Sequence, residues 1–269
     1  MMPTTTWNPE SYAKNARFVS DLGEPLLELL AAKPGETILD LGCGDGALTE
    51  KLIAAGATVF AVDSSLAQVA AAQRRGLNAL VMDGQALAFK RRFDAVFTNA
   101  VLHWLKRPEK VVEGVAGCLK PGGRFVGEFG GKGNVETIRA ALHRGLSKRG
   151  LDAQSVDPWY YPAPEEYSAL LEELGFTVEP IELIPRPTKL PGDILGWLEI
   201  FAQSFTTALP ESERGKYLVE VRNELQPTLR DADGIWHADY VRLRFKALRR
   251  YRSSDDVVSW ALSRKLRTF

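Results

Sequence analysis

The feature that most constrains this chain is a series of short apolar runs between Glu36 and Gly130, separated by stretches with helical periodicity. The runs predict five strands, at residues 37–41, 58–63, 79–82, 93–98 and 124–129. Their residues do not alternate between apolar and polar, which is typical of strands that are buried on both faces of a parallel sheet. Strands that alternate with helices form such sheets, so we expect an α/β fold with a doubly wound, mostly parallel sheet.

The second half of the chain is more helical and more irregular. A helix at 165–174 and a strand at 176–184 are followed by prolines that predict a connection, at positions 180, 185, 187 and 191. Two further helices are expected at 193–209 and 211–225, and an alternating pattern at 240–245 predicts an amphipathic strand. No internal repeat interrupts the pattern, so residues 1–269 are expected to form a single domain.

The glycine-rich stretch from Asp40 to Gly46 indicates a ligand site. It lies where the first strand ends and a helix begins, so its backbone N–H groups can approach a ligand closely and the helix adds its positive dipole end. Asp63 ends the second strand about 20 residues after Gly42, where a carboxylate can accept hydrogen bonds from both hydroxyls of a ribose. This spacing predicts a nucleoside site at the carboxyl edge of the sheet.

Two kinds of nucleoside cofactor fit this loop. Gly42, Gly44 and Ala47 satisfy the pattern of NAD-binding proteins, with alanine in the third place. However, Asp40 and Asp45 place carboxylates beside and within the loop, where they would repel a pyrophosphate and attract a sulfonium or an ammonium group. The carboxylates therefore favour a cationic cofactor over NAD.

Composition limits the possible partners and cofactors. Lys+Arg and Asp+Glu both number 34 among 269 residues, so no basic excess points to a nucleic-acid partner. No apolar run is long enough to span a bilayer, and the N-terminus lacks the apolar segment of a signal peptide. Cys43 and Cys118 cannot close a four-ligand zinc site. We expect a cytoplasmic protein without a metal or a membrane partner, and the sequence does not predict its oligomeric state.

Residues 38–46, with the sequence ILDLGCGDG, resemble the first motif of class I S-adenosylmethionine-dependent methyltransferases. Four further stretches occur in the family's order, namely VDSS at 62–65, MDGQ at 82–85, FDAVFTNAVLHW at 93–104 and LKPGG at 119–123. The resemblance extends over residues 7–130. It implies a Rossmann-like sheet of seven strands, the last antiparallel and inserted next to an edge strand, and S-adenosyl-L-methionine as the cofactor.

The same resemblance implies which residues bind the cofactor. The three glycines would pass close to its methionine part, Asp40 would orient its ammonium, Asp63 would hold the ribose, and Asp83 would accept a hydrogen bond from the adenine. Tyr12 would belong to an N-terminal helical lid at 1–35, although a surface helix that only packs on the sheet is the alternative. The complete set is Tyr12, Asp40, Gly42, Gly44, Gly46, Asp63, Ser64, Asp83, Gly84, Gln85, Asn99 and Ala100.

A narrower resemblance is to the branch of trans-aconitate methyltransferase-like enzymes, carried by LHW at 102–104, EFGGKGN at 128–134, PWYYP at 158–162 and DYVRLR at 239–244. It implies cap insertions over the active site at 131–175 and 193–233, which favour a small-molecule methyl acceptor over a macromolecule. The candidate acceptor residues are His103, Trp104, Trp159, Tyr160, Trp197 and Arg242.

Each acceptor candidate has an alternative role. His103 is either a catalytic general base or a residue that only shapes the site. The aromatic residues either wall the pocket or form the core of the cap, and Arg242 with Arg244 either clamps a carboxylate or lies on the surface. We expect methylation of a small molecule, first of all of a carboxylate oxygen. C- or N-methylation, a cyclase-like reaction on the same fold, and an NAD-binding protein are the alternatives.

Overall fold

A single seven-stranded sheet organises the protein in the computed structural model, which describes residues 23–251. The strand order is β3-β2-β1-β4-β5-β7-β6, and only β7 runs antiparallel to its neighbours. The strands are β1 (Thr37–Leu41), β2 (Thr58–Asp63), β3 (Ala79–Val81), β4 (Phe93–Asn99), β5 (Leu119–Gly130), β6 (Phe176–Lys189) and β7 (His237–Arg249). The predicted α/β fold, with the last strand antiparallel and inserted beside an edge strand, is confirmed.

Helices cover both faces of the sheet and also form a separate cap. They are α1 (Glu24–Leu30), α2 (Ala47–Ala54), α3 (Leu66–Arg74), α4 (Pro108–Cys118), α5 (Glu136–Ser147), α6 (Ala153–Val156), α7 (Pro164–Glu173), α8 (Ile194–Phe201), α9 (Gln203–Thr207) and α10 (Glu211–Leu229), with a 3-10 helix at Leu102–Trp104. Within residues 23–251, no helix has the length and apolar character needed to cross a membrane.

The central strands are buried on both faces, which explains their continuous apolar runs. In β1, Ile38 packs in a cluster with Leu26 and Leu30 of α1, whereas Leu39 packs in the cluster of the other face with Val111 of α4. Each residue of such a strand meets an apolar layer whichever way its side chain points. Alternation is therefore absent because no face of these strands is left to solvent.

Strand β6 is longer than the sequence pattern predicts. The prolines after position 179 were expected to lie in a connection, but the strand pairs with β7 as far as Lys189. Pro180 lies at a register shift, and Pro185 and Pro187 are two residues apart in the outermost strand. An edge strand tolerates proline where the missing N–H would point away from the sheet, so the prediction of a connection was wrong for Pro185 and Pro187, while Pro191 does lie in the connection after the strand.

The cap forms from the two connections that flank β6. Side chains of α5, α8, α9 and α10 share one apolar cluster, which includes Leu142, Trp197, Phe205 and Tyr217. By contrast, Tyr167 of α7 packs in the sheet cluster, so only the first part of the expected 131–175 insertion joins the cap. The helix expected at 193–209 is two helices, α8 and α9, on either side of Ala202.

The N-terminal segment that we expected to act as a lid is only partly described. Leu26 and Leu30 of α1 are fully buried against the sheet, and Arg124 donates from Nε to the carbonyl oxygen of Leu30 at 2.6 Å. This helix therefore covers one face of the sheet and lines no part of the cavity described below. Tyr12, the residue expected to cover the cofactor, lies outside the described residues.

Candidate active site

A continuous cavity lies at the carboxyl ends of β1, β2 and β4 and extends beneath the cap. It brings together most of the predicted site residues, although they come from distant parts of the sequence. Those that line it are Asp40, Gly42, Gly44, Asp63, Ser64, Gly84, Asn99, Ala100, His103, Trp104, Trp159, Trp197 and Arg242. Gly46, Asp83, Gln85 and Tyr160 are not among the lining residues. The cavity therefore has a loop end, at the glycines, and a cap end, at the aromatic residues.

Glycine occurs at three positions of the loop for different structural reasons. A Cβ atom at Gly42 would lie 2.2 Å from the side chain of Val101, so packing requires glycine there, whereas Gly46 has φ +89°, a left-handed conformation that favours glycine. Gly44 has φ +57°, and a Cβ there would meet no heavy atom within 4 Å. Since Gly44 also lines the cavity, it leaves open space where a ligand can approach the backbone.

Asp63 ties the glycine loop to the end of β2. Its Oδ2 accepts a hydrogen bond from the Gly44 N–H at 3.0 Å, and its Oδ1 accepts one from the Ser65 N–H at 2.8 Å. Burial raises the pKa of Asp63. Ser65, rather than Ser64, caps α3, because its side chain accepts a hydrogen bond from the Gln68 N–H. Ser64 lines the cavity instead.

Asp40 is a buried carboxylate beside Asp63. It is only 2% exposed and accepts a hydrogen bond of 2.6 Å from the Thr49 hydroxyl. Burial, together with the charge of Asp63, raises the pKa of Asp40 to about 7. Among the described residues, neither carboxylate has a Lys, Arg or His partner within ion-pair distance. The loop end of the cavity is therefore electronegative and suited to a cationic ligand.

The segment expected to bind adenine lines the cavity with only some of its residues. Met82 and Gly84 line the cavity, but Gln85 accepts a hydrogen bond at its Oε1 from the Arg107 N–H at 3.1 Å. Oδ1 of Asp83 accepts one from the Gln85 N–H at 2.9 Å. The Gln85 side chain is therefore occupied by Arg107, and the sequence motif alone could not indicate this contact.

Backbone strain occurs where β4 meets the cavity. Ala100 has φ +59°, a left-handed conformation that is uncommon for residues other than glycine. Its N–H donates to the backbone carbonyl oxygen of Glu128 at 2.7 Å. The 3-10 helix that follows carries His103 and Trp104 into the cavity wall. Such strain is costly by about 1–3 kcal/mol and is found most often at functional sites.

His103 is held as a neutral hydrogen-bond donor. It is 6% exposed, and its Nδ1 accepts a hydrogen bond from the Gly130 N–H at 3.2 Å. Burial, with the positive charge of Arg242, holds the pKa of His103 well below its usual value. A neutral imidazole that accepts at Nδ1 carries its proton on Nε2, so this ring has no basic nitrogen left to take a proton.

Aromatic side chains wall the cap end of the cavity. Trp159 and Tyr161 are stacked, with ring centroids 5.8 Å apart, and the Trp197 Nε1–H donates to the Tyr240 hydroxyl at 2.6 Å. Tyr160 points away, because its hydroxyl donates to Glu166 at 3.4 Å. The residues of this end that the sequence prediction missed are Phe201, Tyr240 and Asn134. Tyr161, an aromatic residue of the PWYYP stretch, lines the cavity together with Trp159, because extended backbone places alternate residues on one face.

Arg242 is a buried cation at this cap end. It is 7% exposed, and its guanidinium carbon lies 4.3 Å from the centroid of the Tyr240 ring. No acidic side chain between residues 23 and 251 forms an ion pair with it. Arg244 instead pairs with Glu128 at 2.7 Å and does not line the cavity, so the expected pair of arginines does not form.

The described residues form no candidate metal site. No group of three or more His, Cys, Asp or Glu side chains within 23–251 is arranged to hold a metal ion. Cys118 is buried, and burial raises the pKa of its thiol to about 12. The groups available for chemistry are therefore the acidic loop end, the neutral His103 and the Arg242 guanidinium.

Sequence comparison relates the chain to methyltransferases. A family model described as a methyltransferase domain matches residues 39–127. An uncharacterized methyltransferase of Schizosaccharomyces pombe is 38% identical over 260 residues, covering 91% of this chain and 99% of the relative. Trans-aconitate 2-methyltransferase of Mycolicibacterium gilvum is 32% identical over 255 residues, covering 88% of this chain and 96% of the relative.

Comparison with solved structures supports the same fold. The YcgJ protein of Bacillus subtilis superimposes with a TM-score of 0.60 at 17% identity, covering 87% of this chain and 99% of that one. A phosphoethanolamine N-methyltransferase of Haemonchus contortus, solved with S-adenosylhomocysteine, has a TM-score of 0.56 at 17% identity, covering 91% of this chain and 57% of that one. At these identities the likeness concerns the fold alone.

Proposed function

Because the chain belongs to the class I S-adenosylmethionine-dependent methyltransferases, we propose that the two ends of its cavity bind the two reactants. The loop end would hold S-adenosylmethionine, and the cap end would hold a small-molecule acceptor by its carboxylate. The observation that carries the second assignment is the buried Arg242, which lines the cavity without an acidic partner among the described residues.

The loop end fits the cofactor in shape and in charge. Gly44 leaves room for a ligand against the backbone, and the carboxylates of Asp40 and Asp63 lack basic partners within 23–251. The cofactor's ammonium would compensate the buried charge of Asp40, and Asp63 would accept hydrogen bonds from the ribose hydroxyls. When bound, S-adenosylmethionine supplies the methyl group: the acceptor oxygen forms the new C–O bond while the C–S bond breaks and its electron pair stays on sulfur.

The cap end fits a carboxylate for a complementary reason. An arginine that is buried without a counterion is costly, and a carboxylate ligand satisfies its planar fork with two hydrogen bonds. The acceptor named for the Mycolicibacterium relative, trans-aconitate, also carries carboxylates. A carboxylate is ionised at pH 7, so its oxygen can attack without a general base. The protonated Nε2 of His103 is consistent with such a reaction, since it can donate a hydrogen bond but cannot accept a proton.

The chain's contribution to the rate would be orientation and the exclusion of water. Residues of the sheet edge and of the cap close around the same cavity, so the two reactants would meet away from bulk solvent. Asp40 and Asp63 would fix one reactant and Arg242 the other. No proton has to move, because the acceptor loses its negative charge when its oxygen is methylated.

The test measures cofactor binding and methyl transfer separately. Purified protein is titrated with S-adenosylhomocysteine by calorimetry, and methyl esters are measured by mass spectrometry after incubation with S-adenosylmethionine and a panel of carboxylic acids, alcohols and amines. Arg242→Met is compared with Lys246→Met, a control on the same strand whose lysine pairs with Glu179 outside the cavity.

We expect both variants to bind S-adenosylhomocysteine within about threefold of the wild type. Arg242→Met should lose at least about a hundredfold in ester formation, because about 2.7 kcal/mol is a typical loss for a charge-assisted contact. Products that form only from alcohols or amines, or an Arg242→Met variant with unchanged ester formation, would contradict the carboxylate assignment.

A further inference from the structure

We propose that the acceptor carries a single carboxylate on a flat, apolar body, and that the site discriminates against di- and tricarboxylates. This inference rests on the proposed function, and it concerns which carboxylates enter the cap end. It departs from the acceptor in the name of the Mycolicibacterium relative, because trans-aconitate has three carboxyl groups. The inference is based on the charged groups and the aromatic side chains that line the cavity.

The part of the cavity wall formed by residues 23–251 offers one permanent cation. Arg242 is the only lysine or arginine among the described residues that line it, and His103 is neutral. Two other basic side chains near this end, Arg139 and Lys106, make contacts of their own. Arg139 bonds to Asp157 at 2.6 Å, and the Lys106 ammonium donates to the Trp159 carbonyl at 3.0 Å. Within residues 23–251, one carboxylate therefore finds a cationic partner in the cavity wall, and a second carboxylate finds none.

Apart from His103 and Asn134, the rest of the cap end is aromatic. Its walls are formed by the rings of Trp104, Trp159, Tyr161, Trp197, Phe201 and Tyr240. The Trp197 N–H is used by the Tyr240 hydroxyl, at 2.6 Å. Burial raises the pKa of Tyr161 well above its usual value, so that phenol stays protonated. These walls present ring faces and few free hydrogen-bonding groups.

The rings also indicate the shape of the acceptor. Trp159 and Tyr161 lie within 17° of parallel, and Trp104 and Phe201 lie within 23°, with centroids 6.4 Å apart. Near-parallel neighbours form broad, flat walls, against which an aromatic or conjugated ligand gains more contact than a globular one. An additional carboxylate on such a ligand would lose its hydration on contact with the aromatic walls, and no cation among residues 23–251 would compensate its charge.

The test compares probes of similar shape and different charge. Cinnamate has one carboxylate on a planar body, trans-aconitate has three on a planar alkene, and cinnamamide has the same body without a charge. Each is titrated by calorimetry into the protein saturated with S-adenosylhomocysteine, and methyl esters from S-adenosylmethionine are measured by mass spectrometry. Cyclohexanepropionate, which keeps one carboxylate but has no planar body, tests the role of shape.

We expect cinnamate to bind at least about a hundredfold more tightly than trans-aconitate, with cinnamamide below detection and cyclohexanepropionate at least about tenfold weaker. Arg242→Met should abolish the binding of cinnamate, whereas Lys246→Met should leave it unchanged. Trans-aconitate that binds as well as cinnamate, or is methylated faster, would overturn the single-carboxylate inference and leave the proposed function intact. If S-adenosylhomocysteine binds but no carboxylate is bound or methylated, the carboxylate function itself is overturned.

Discussion

At the scale of single residues, the burial of Asp40 makes the stability of the ligand-free protein depend on pH. Its carboxylate is buried beside that of Asp63, and burial raises its pKa to about 7 from an ordinary value of 3.8. Between these pH values the folded, ligand-free protein binds more protons at Asp40 than the unfolded chain does. Its free energy of unfolding therefore falls as the pH rises from about 4 to 7, and stays lower above that range.

Asp40→Asn should separate stability from binding. The amide removes the buried charge but can still accept the Thr49 hydrogen bond, so we expect the free energy of unfolding at pH 8 to rise by about 1–2 kcal/mol. The affinity for S-adenosylhomocysteine should fall at least about tenfold, because the ammonium loses its partner. Urea unfolding and calorimetry measure the two effects, with the exposed change Asp233→Asn as control. A variant that is less stable and binds normally would contradict this role of Asp40.

His103 gives a second prediction at this scale. Asparagine places an amide oxygen near the position of Nδ1, so His103→Asn can keep the hydrogen bond from the Gly130 N–H. We expect turnover within about tenfold of the wild type, a change of about 1.4 kcal/mol in the barrier. Because the pKa of His103 is held well below its usual value, the wild-type rate should not follow imidazole protonation between pH 6 and 8. A steep acid limb that disappears in the variant would instead identify His103 as a general base.

At the scale of elements, the turn from β1 to α2 has a conformation that only some residues adopt. Gly44 and Gly35 both have positive φ, at +57° and +82°, and a Cβ at either would meet no heavy atom within 4 Å. They differ in their surroundings, since Gly44 lines the cavity and Gly35 precedes β1 at the other end of the strand. The two positions therefore form a matched pair for a backbone experiment.

Alanine at either position should have the same effect on folding and a different effect on binding. Both Gly44→Ala and Gly35→Ala should lower the free energy of unfolding by about 1 kcal/mol, the usual penalty for an L-residue in left-handed backbone. Only Gly44→Ala should weaken the binding of S-adenosylhomocysteine, at least about tenfold, because its methyl group enters the ligand's space. Equal affinities of the two variants, measured by calorimetry, would mean that the loop does not contact the cofactor.

The secondary-structure elements differ in how well the sequence alone could predict them. Strands β1, β2 and β4 and the glycine loop were predictable because burial on both faces and positive φ each restrict the residue types strongly. The length of β6 was not predictable, because proline is excluded from central strands but allowed at an edge. Whether a strand lies at the edge of a sheet is decided by the tertiary structure. The roles of Arg242 and Arg244 were not separable either: both lie on one face of β7, and only the position of Glu128 distinguishes them.

At the scale of the whole molecule, the cavity separates charge along its length. Carboxylates lie at the end formed by the sheet, and the guanidinium of Arg242 lies at the end formed under the cap. A cationic methyl donor and an anionic acceptor would each be attracted to its own end, and methylation would leave two products with less charge than the reactants. Both charged ends would then bind the products less tightly, which favours their release.

The prolines of β6 have a consequence for how the protein behaves in concentrated solution. Unpaired backbone groups at the margin of a sheet can recruit a strand from another molecule and begin aggregation. Here one margin is β3, with only 3 residues, and the other is β6, in which Pro185 and Pro187 offer no N–H. We expect the double change Pro185→Val and Pro187→Val to increase light scattering on storage at high concentration, with affinity for S-adenosylhomocysteine unchanged in dilute solution. If the variant scatters no more than the wild type, these prolines are not what keeps neighbouring molecules apart.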